Sequence, residues 1–73
     1  MMNGTQSKMA RAALGWSSHD LARFAGVARI TVARFESGAN IEDESRAKLV
    51  TALEDAGARF SRRSGRVGVS VPE

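Results

Sequence analysis

The chain contains no cysteine, which excludes disulfide bridges and cysteine-ligated metal sites and agrees with a reducing compartment. It has a single histidine, so zinc would depend on carboxylates, and no metal is expected. No apolar run approaches the roughly 18 residues of a membrane-spanning helix, and no charged-then-apolar leader opens the chain. Length is also in short supply. At 73 residues there is room for one domain, with stability that is marginal or helped by a partner. No pocket-forming length and no acid–base pair is visible, so neither catalysis nor a cofactor is expected. The expectation is a soluble, cytoplasmic protein.

What the chain has is segregated charge. Residues 1–40 hold five Lys/Arg and two acids, residues 41–57 two and five, and residues 58–73 four and one. The segments therefore carry +3, −3 and +3, matching the total of +3. Basic ends around an acidic middle can present a cationic face to an anionic partner such as nucleic acid. A solvated mixed surface would show the same totals.

Residues Met1–Gln6 show no periodicity and are expected to be disordered. The run "SKMARAAL" (Ser7–Leu14) is rich in helix formers, with Met9, Ala10, Ala13 and Leu14 at helical spacing and Gly15 as its stop. In "WSSHDL", Ser17 stands three residues before Asp20, a conservative capping box, and Trp16 with Leu21 fits a hydrophobic staple. This predicts a helix over Ser18–Ala25 with Leu21, Ala22 and Ala25 inward. Gly26 ends it, because glycine most easily takes the left-handed conformation after a helix. A third helix is predicted over about Arg29–Ser37, burying Val32 and Phe35 and ending at Gly38. Ala28 is a weak N-cap where Ser or Thr would add roughly 1 kcal/mol. "ANIEDESRAKLVTALEDAG" predicts a fourth helix with Asn40 as N-cap, acids at its positive end, and Leu49, Val50, Leu53 and Ala56 as its apolar face. Spread along one terminus, those acids serve helix entry and solubility rather than catalysis.

The tail changes period. Val67, Val69 and Val71 alternate with Gly68 and Ser70, which indicates a strand, and "RRSGR" signals a turn. Ala58–Arg62 is expected to pair with Arg66–Val71. An isolated hairpin is marginal in water, so this one must pack on the helices, pair with a second subunit, or fray.

Two helices joined by a tight glycine turn leave the second standing proud of the first. At the front of that second helix stand Arg29, Ile30 and, one turn on, Arg34. Arginine can fork onto guanine O6 and N7, and an apolar side chain can touch a thymine methyl. Ser17 and Ser18, with free N–H groups at the preceding helix start, suit a phosphate. By this physics alone, DNA binding and a plain core element stand level.

The pattern "RAALGWS", "DLARFAGV", "ITVARFESG" and "LVTAL", with its gaps, resembles the Cro/cI-type (XRE-like) helix-turn-helix family of phage repressors and their bacterial relatives. The resemblance covers about Met9–Gly57. It implies an all-α fold: a compact lambda-repressor-like helix-turn-helix bundle of four to five helices, here with a short C-terminal β extension. The chain would divide into a disordered 1–6, a DNA-binding domain 7–57, and a hairpin 58–73 able to dimerise through Val67, Val69 and Val71. Ala22 falls on the family's small residue at the helix crossing, Gly26 on its turn, and Val32 and Phe35 on its core. Arg29, Ile30 and Arg34 fall on the base-reading positions, with Thr31 between them. Ser17 and Ser18 fall on helix-start phosphate contacts, and Ser37 and Asn40 on backbone contacts after the recognition helix. Arg11 and Glu36 match a structural ion pair, with a phosphate contact secondary for Arg11.

Three positions depart from the family. Ser18 stands where glutamine is common, Ala28 where a capping Ser or Thr is usual, and "NIEDE" where a basic or proline-bearing loop is frequent. Acids there repel phosphate and leave Asn40 as the main contact. The implied function is a sequence-specific double-stranded DNA-binding transcriptional regulator, a homodimer on an inverted repeat, in a bacterial or phage nucleoid setting. The rival is a protein-interaction module such as an antitoxin or anti-regulator. "SHD" (Ser18–Asp20) has the letters of a hydrolase triad, but consecutive helical residues point about 100° apart and cannot form the relay. "GARFSRRSGR" lacks phosphate-loop spacing. Its arginines are read first as keeping a strand edge soluble, with unspecific phosphate attraction as the alternative.

Overall fold

Four helices and a hairpin follow one another: α1 (Gly4–Leu14), α2 (Ser18–Ala25), α3 (Arg29–Glu36), α4 (Asp43–Asp55), β1 (Arg59–Arg63) and β2 (Arg66–Ser70). A computed structural model describes residues 2–73. The local chemistry of α2 follows its sequence: Ser17 N–H donates to Asp20 Oδ2 at 2.9 Å and Asp20 N–H donates to Ser17 Oγ at 3.0 Å. Gly26, at φ 72°, closes the helix by donating its N–H to the Ala22 carbonyl. Ala28 gives α3 no side-chain cap.

The core is shared among all elements. Leu21 and Ala22 from α2, Val32 and Phe35 from α3, Leu49 and Leu53 from α4, and Ala10 from α1 are buried together with Met2 and Ala58. Burying each large apolar side chain contributes about 1.5–3 kcal/mol. Trp16 packs at the edge of this core and meets Phe24 with ring centroids 4.6 Å apart.

Several expectations need correcting. The N-terminal segment is ordered from Met2, and α1 begins at Gly4 rather than Ser7. Asn3 caps it in a reciprocal box with Gln6, at 2.9 and 3.0 Å, and the Met2 side chain is buried. Met1 lies outside the described residues. The inward face of α1 is Gln6, Ser7 and Ala10, not Met9 and Ala13, which face solvent. Polar side chains hold that face because each finds a partner there, as set out below. Asn40 is not the cap of α4. Ile41 packs against the core and keeps residues 39–42 non-helical, so the helix starts after Glu42, whose side chain makes no capping bond. Ser37 is the C-cap of α3 rather than part of it.

The hairpin packs on the helices. Its register pairs Phe60 with Val69 and Arg63 with Arg66, so Ser64 and Gly65 form a two-residue turn. Both have positive φ, 51° and 74°, as a type I′ turn requires. Phe60, Val69 and Val71 lie against the helical core, on the alternate positions that the period-two pattern assigns to one face.

Candidate nucleic-acid interface

On α3 the buried residues Val32 and Phe35 fix which way the helix turns, and the opposite side is water-facing. Arg29, Ile30, Ala33 and Arg34 are exposed there, with Ser37 continuing the stripe beyond the helix. Ile30 is 66% exposed and contributes nothing to the core. Thr31 is half-buried at the edge of this face, beside a shallow hollow that Arg34, Asn40 and Ile41 also line. The Arg34 guanidinium leans toward the Asn40 carbonyl at 3.5 Å, a contact at the limit of hydrogen bonding. Its donors are otherwise open. Ala33, which the sequence reading passed over, lies at the centre of the stripe. Its small side chain lets the helix approach a flat partner closely. The periodicity of Val32 and Phe35 alone would have placed it there.

The flanking polar residues differ in what they have free. Ser17 uses its oxygen as an acceptor from the Asp20 N–H, and its hydroxyl stands beside the Asp20 carboxylate, which competes for its proton. Asp20 sits in the same first turn, so its carboxylate opposes an incoming phosphate. The hydrogen bond from the Ser17 backbone is the main cause that holds that carboxyl below its ordinary range; desolvation opposes it, and the Ser17 side chain, Arg23 and His19 add to it. Ser18 is half-buried beside it. Ser37 donates its hydroxyl to the Arg34 carbonyl at 2.9 Å, so only its acceptor side is unspent. Asn40 is exposed and its side-chain amide makes no hydrogen bond among the described residues.

Arg11 and Glu36 form the structural joint behind this face. Arg11 Nε donates to Glu36 Oε2 at 2.9 Å and Nη2 donates to Oε1 at 2.7 Å, while Nη1 donates to the Trp16 carbonyl at 3.2 Å. The bond to Glu36 is the main reason the guanidinium holds its proton more tightly than usual, against desolvation. Ser7 Oγ donates to Glu36 Oε2 at 2.6 Å. Glu36 is thus fully engaged, with its side chain 6% exposed. With every edge of its guanidinium used, Arg11 locks α1 to the end of α3 and to the α1–α2 turn.

Two other residues missed in the sequence serve the scaffold. Gln6 Nε2 donates to the Ser61 and Gly68 carbonyls at 2.9 and 3.2 Å, tying the hairpin to α1. Gly4 lets α1 start against α3, since a Cβ there would stand 2.5 Å from the Phe35 carbonyl oxygen. Among the described residues no three His, Cys, Asp or Glu side chains gather as a metal site would require, and no helix is long and apolar enough to cross a membrane.

A pair of short helices separated by residues 26–28, the second bearing an exposed basic and apolar stripe, defines a helix-turn-helix DNA-binding domain. The chain belongs to the Cro/cI-type helix-turn-helix family (HTH_3), whose pattern matches residues 8–55, well over half of its length. Members bind DNA, typically as transcriptional regulators. No curated protein matches the chain.

Proposed function

We propose that this protein is a sequence-specific double-stranded DNA-binding transcriptional regulator that lays α3 in the major groove. The observation that carries the reading is the outward stripe of α3, where Arg29, Ile30, Ala33 and Arg34 face water while Val32 and Phe35 hold the helix down. An isoleucine this exposed can meet a thymine methyl, and the two arginines suit guanine edges. Thr31 reads or braces at the margin. Ser17, Ser18, Ser37 and Asn40 contact phosphates on either side, with Asn40 the better donor because its side-chain amide is unspent.

An eight-residue helix reads few bases, so useful specificity calls for a homodimer on an inverted repeat with half-sites one helical turn apart. Selection from a random duplex library tests both parts. The expected product is a pair of inverted half-sites. A single short motif would remove the dimer, and no enrichment at low salt would favour a protein-interaction module instead. Arg29→Ala or Arg34→Ala should each cost about 1–3 kcal/mol at particular base positions. Unchanged base preference in both variants would mean that α3 does not read bases through its arginines.

A further inference from the structure

We infer that the tip of the β-hairpin is a second phosphate-binding element, gripping the DNA backbone outside the groove that α3 enters. The inference rests on the DNA-binding reading above and extends it to a part of the chain outside the matched family region, residues 8–55. From the sequence alone these arginines read as solubilising. Three structural observations point further.

The first is that the charge is uncompensated. Among the described residues, the ion pairs are Arg11–Glu36, Arg23–Asp20, Arg46–Asp43 and Lys48–Glu44. Arg62, Arg63 and Arg66 take part in none of them, although acids are plentiful on α4, and all three are exposed. The second is that the charge is concentrated against the preference of the sheet. Arg63 and Arg66 are directly opposite one another in the register, flanking the turn. Like charges facing across a strand pair are destabilising, and a soluble edge could be had with one arginine and one acid. An anion between the two guanidinium groups relieves the repulsion. Arg62 adds a third cation on the other face of the same tip.

The third observation is that the hairpin is fastened to the same helix, α1, that holds the end of α3. Gln6 fastens the hairpin to α1 at Ser61 and Gly68, and the next residue, Ser7, is bonded to Glu36 at the end of α3. The hairpin and the C-terminal end of α3 are thus joined to consecutive residues of one helix. The tip arginines lie one residue (Arg62) or two (Arg63 and Arg66) beyond the Gln6 attachment, at most about 7 Å of strand. The α3–α4 loop bears Glu42 and leads into Asp43 and Glu44. Those acids repel phosphate and leave Asn40 as the loop's main contact, so cations supplied by the hairpin add what the loop lacks. Because such contacts are to the backbone, they add affinity and salt dependence without sequence preference.

The test measures binding of the full chain to a double-stranded oligonucleotide of arbitrary sequence over a range of salt. It compares the natural chain, R62Q/R63Q/R66Q, and R62K/R63K/R66K. Three lost phosphate contacts should lower the magnitude of the log K against log[salt] slope by about 2–3 in the glutamine variant. The lysine variant should keep the natural slope. Base preference from library selection should be the same in all three. Circular dichroism checks folding, and the glutamine variant should melt no lower than the natural chain because it loses the Arg63–Arg66 repulsion. An unchanged slope in the glutamine variant, with the natural chain binding DNA, overturns the inference and leaves the function of α3 standing. Unchanged slope with altered self-association by sedimentation would assign the arginines to a protein contact. No binding by the natural chain at low salt overturns both the inference and the DNA-binding reading.

Discussion

Glu36 accepts hydrogen bonds from Ser7 Oγ, Arg11 Nε and Arg11 Nη2, and is almost out of contact with water. Breaking a buried pair by removing one member costs about 3–5 kcal/mol, because the other charge is stranded. Arg11 retains 19% exposure of its side chain, so solvent screens part of that penalty. Glu36→Ala should therefore lose about 3 kcal/mol in urea unfolding, toward the lower end of that range. Glu36→Gln keeps one acceptor oxygen, which at the Oε2 position still serves Ser7 Oγ and Arg11 Nε while its amide NH2 faces Arg11 Nη2, so it should lose less than the alanine. Removing both ends in R11M/E36M should cost less than the two single changes summed, since no unpaired charge remains. Strict additivity would show that the pair is a surface contact of little weight. Arg29 and Arg34 lie on the exposed side of the same helix. One helix thus carries its structural charge at one end of the buried side and exposed cations on the other.

At the scale of elements, α1 does the most joining, and it is where sequence and structure part. Its first turn uses Asn3 as cap and Gln6 as both box partner and hairpin anchor. Gln6→Ala should leave the Ser61 and Gly68 carbonyls short of a donor and unpin the hairpin. Amide hydrogen exchange should then quicken in β1 and β2 while α2 and α3 keep their protection. A uniform acceleration across the molecule would mean that Gln6 serves the whole core rather than one joint. The α2–α3 unit was readable from residues because its signals are local: a reciprocal cap at Ser17 and Asp20, a left-handed glycine at 26, and apolar residues three apart at 32 and 35. The hairpin was readable for the same reason, from alternating valines and a turn rich in arginine, serine and glycine. The ion pair of Arg11 with Glu36 was expected only through family resemblance, since nothing in the spacing of two residues so far apart fixes their contact. Long-range partners explain the rest. Gln6 and Ser7 read as surface residues because burial of a polar group is decided by what meets it, here Ser61, Gly68 and Glu36. The motif Asn3–Gln6 did carry a local signal, an N-cap residue followed three positions later by glutamine. It went unread because no apolar periodicity accompanied it. At α4, Asn40 has good capping chemistry, but the inward pull of Ile41 decides where the helix begins.

For the molecule as a whole, charge alternates along the chain, net basic over residues 1–40, acidic over 41–57 and basic again over 58–73. The core does not depend on a second copy. Leu21, Val32, Leu49 and Leu53 are closed off from water within a single chain, and no buried side-chain polar atom among the described residues lacks a hydrogen-bond partner. A chain that completes its own core folds alone, so its melting temperature without DNA should not change with protein concentration over a hundredfold range. A folded state that required the dimer would instead become more stable as concentration rises, by mass action. Duplex DNA should raise the melting temperature, because it binds the native chain, and at about 100 times Kd the gain is about 2.7 kcal/mol. For a domain of this size each 1 kcal/mol corresponds to roughly 4–8 °C, so the shift is large enough to read by circular dichroism. A concentration-dependent melt in the absence of DNA would place the subunit contact inside the fold itself. It would then turn attention to the valines of β2, whose outer edge has no strand against it.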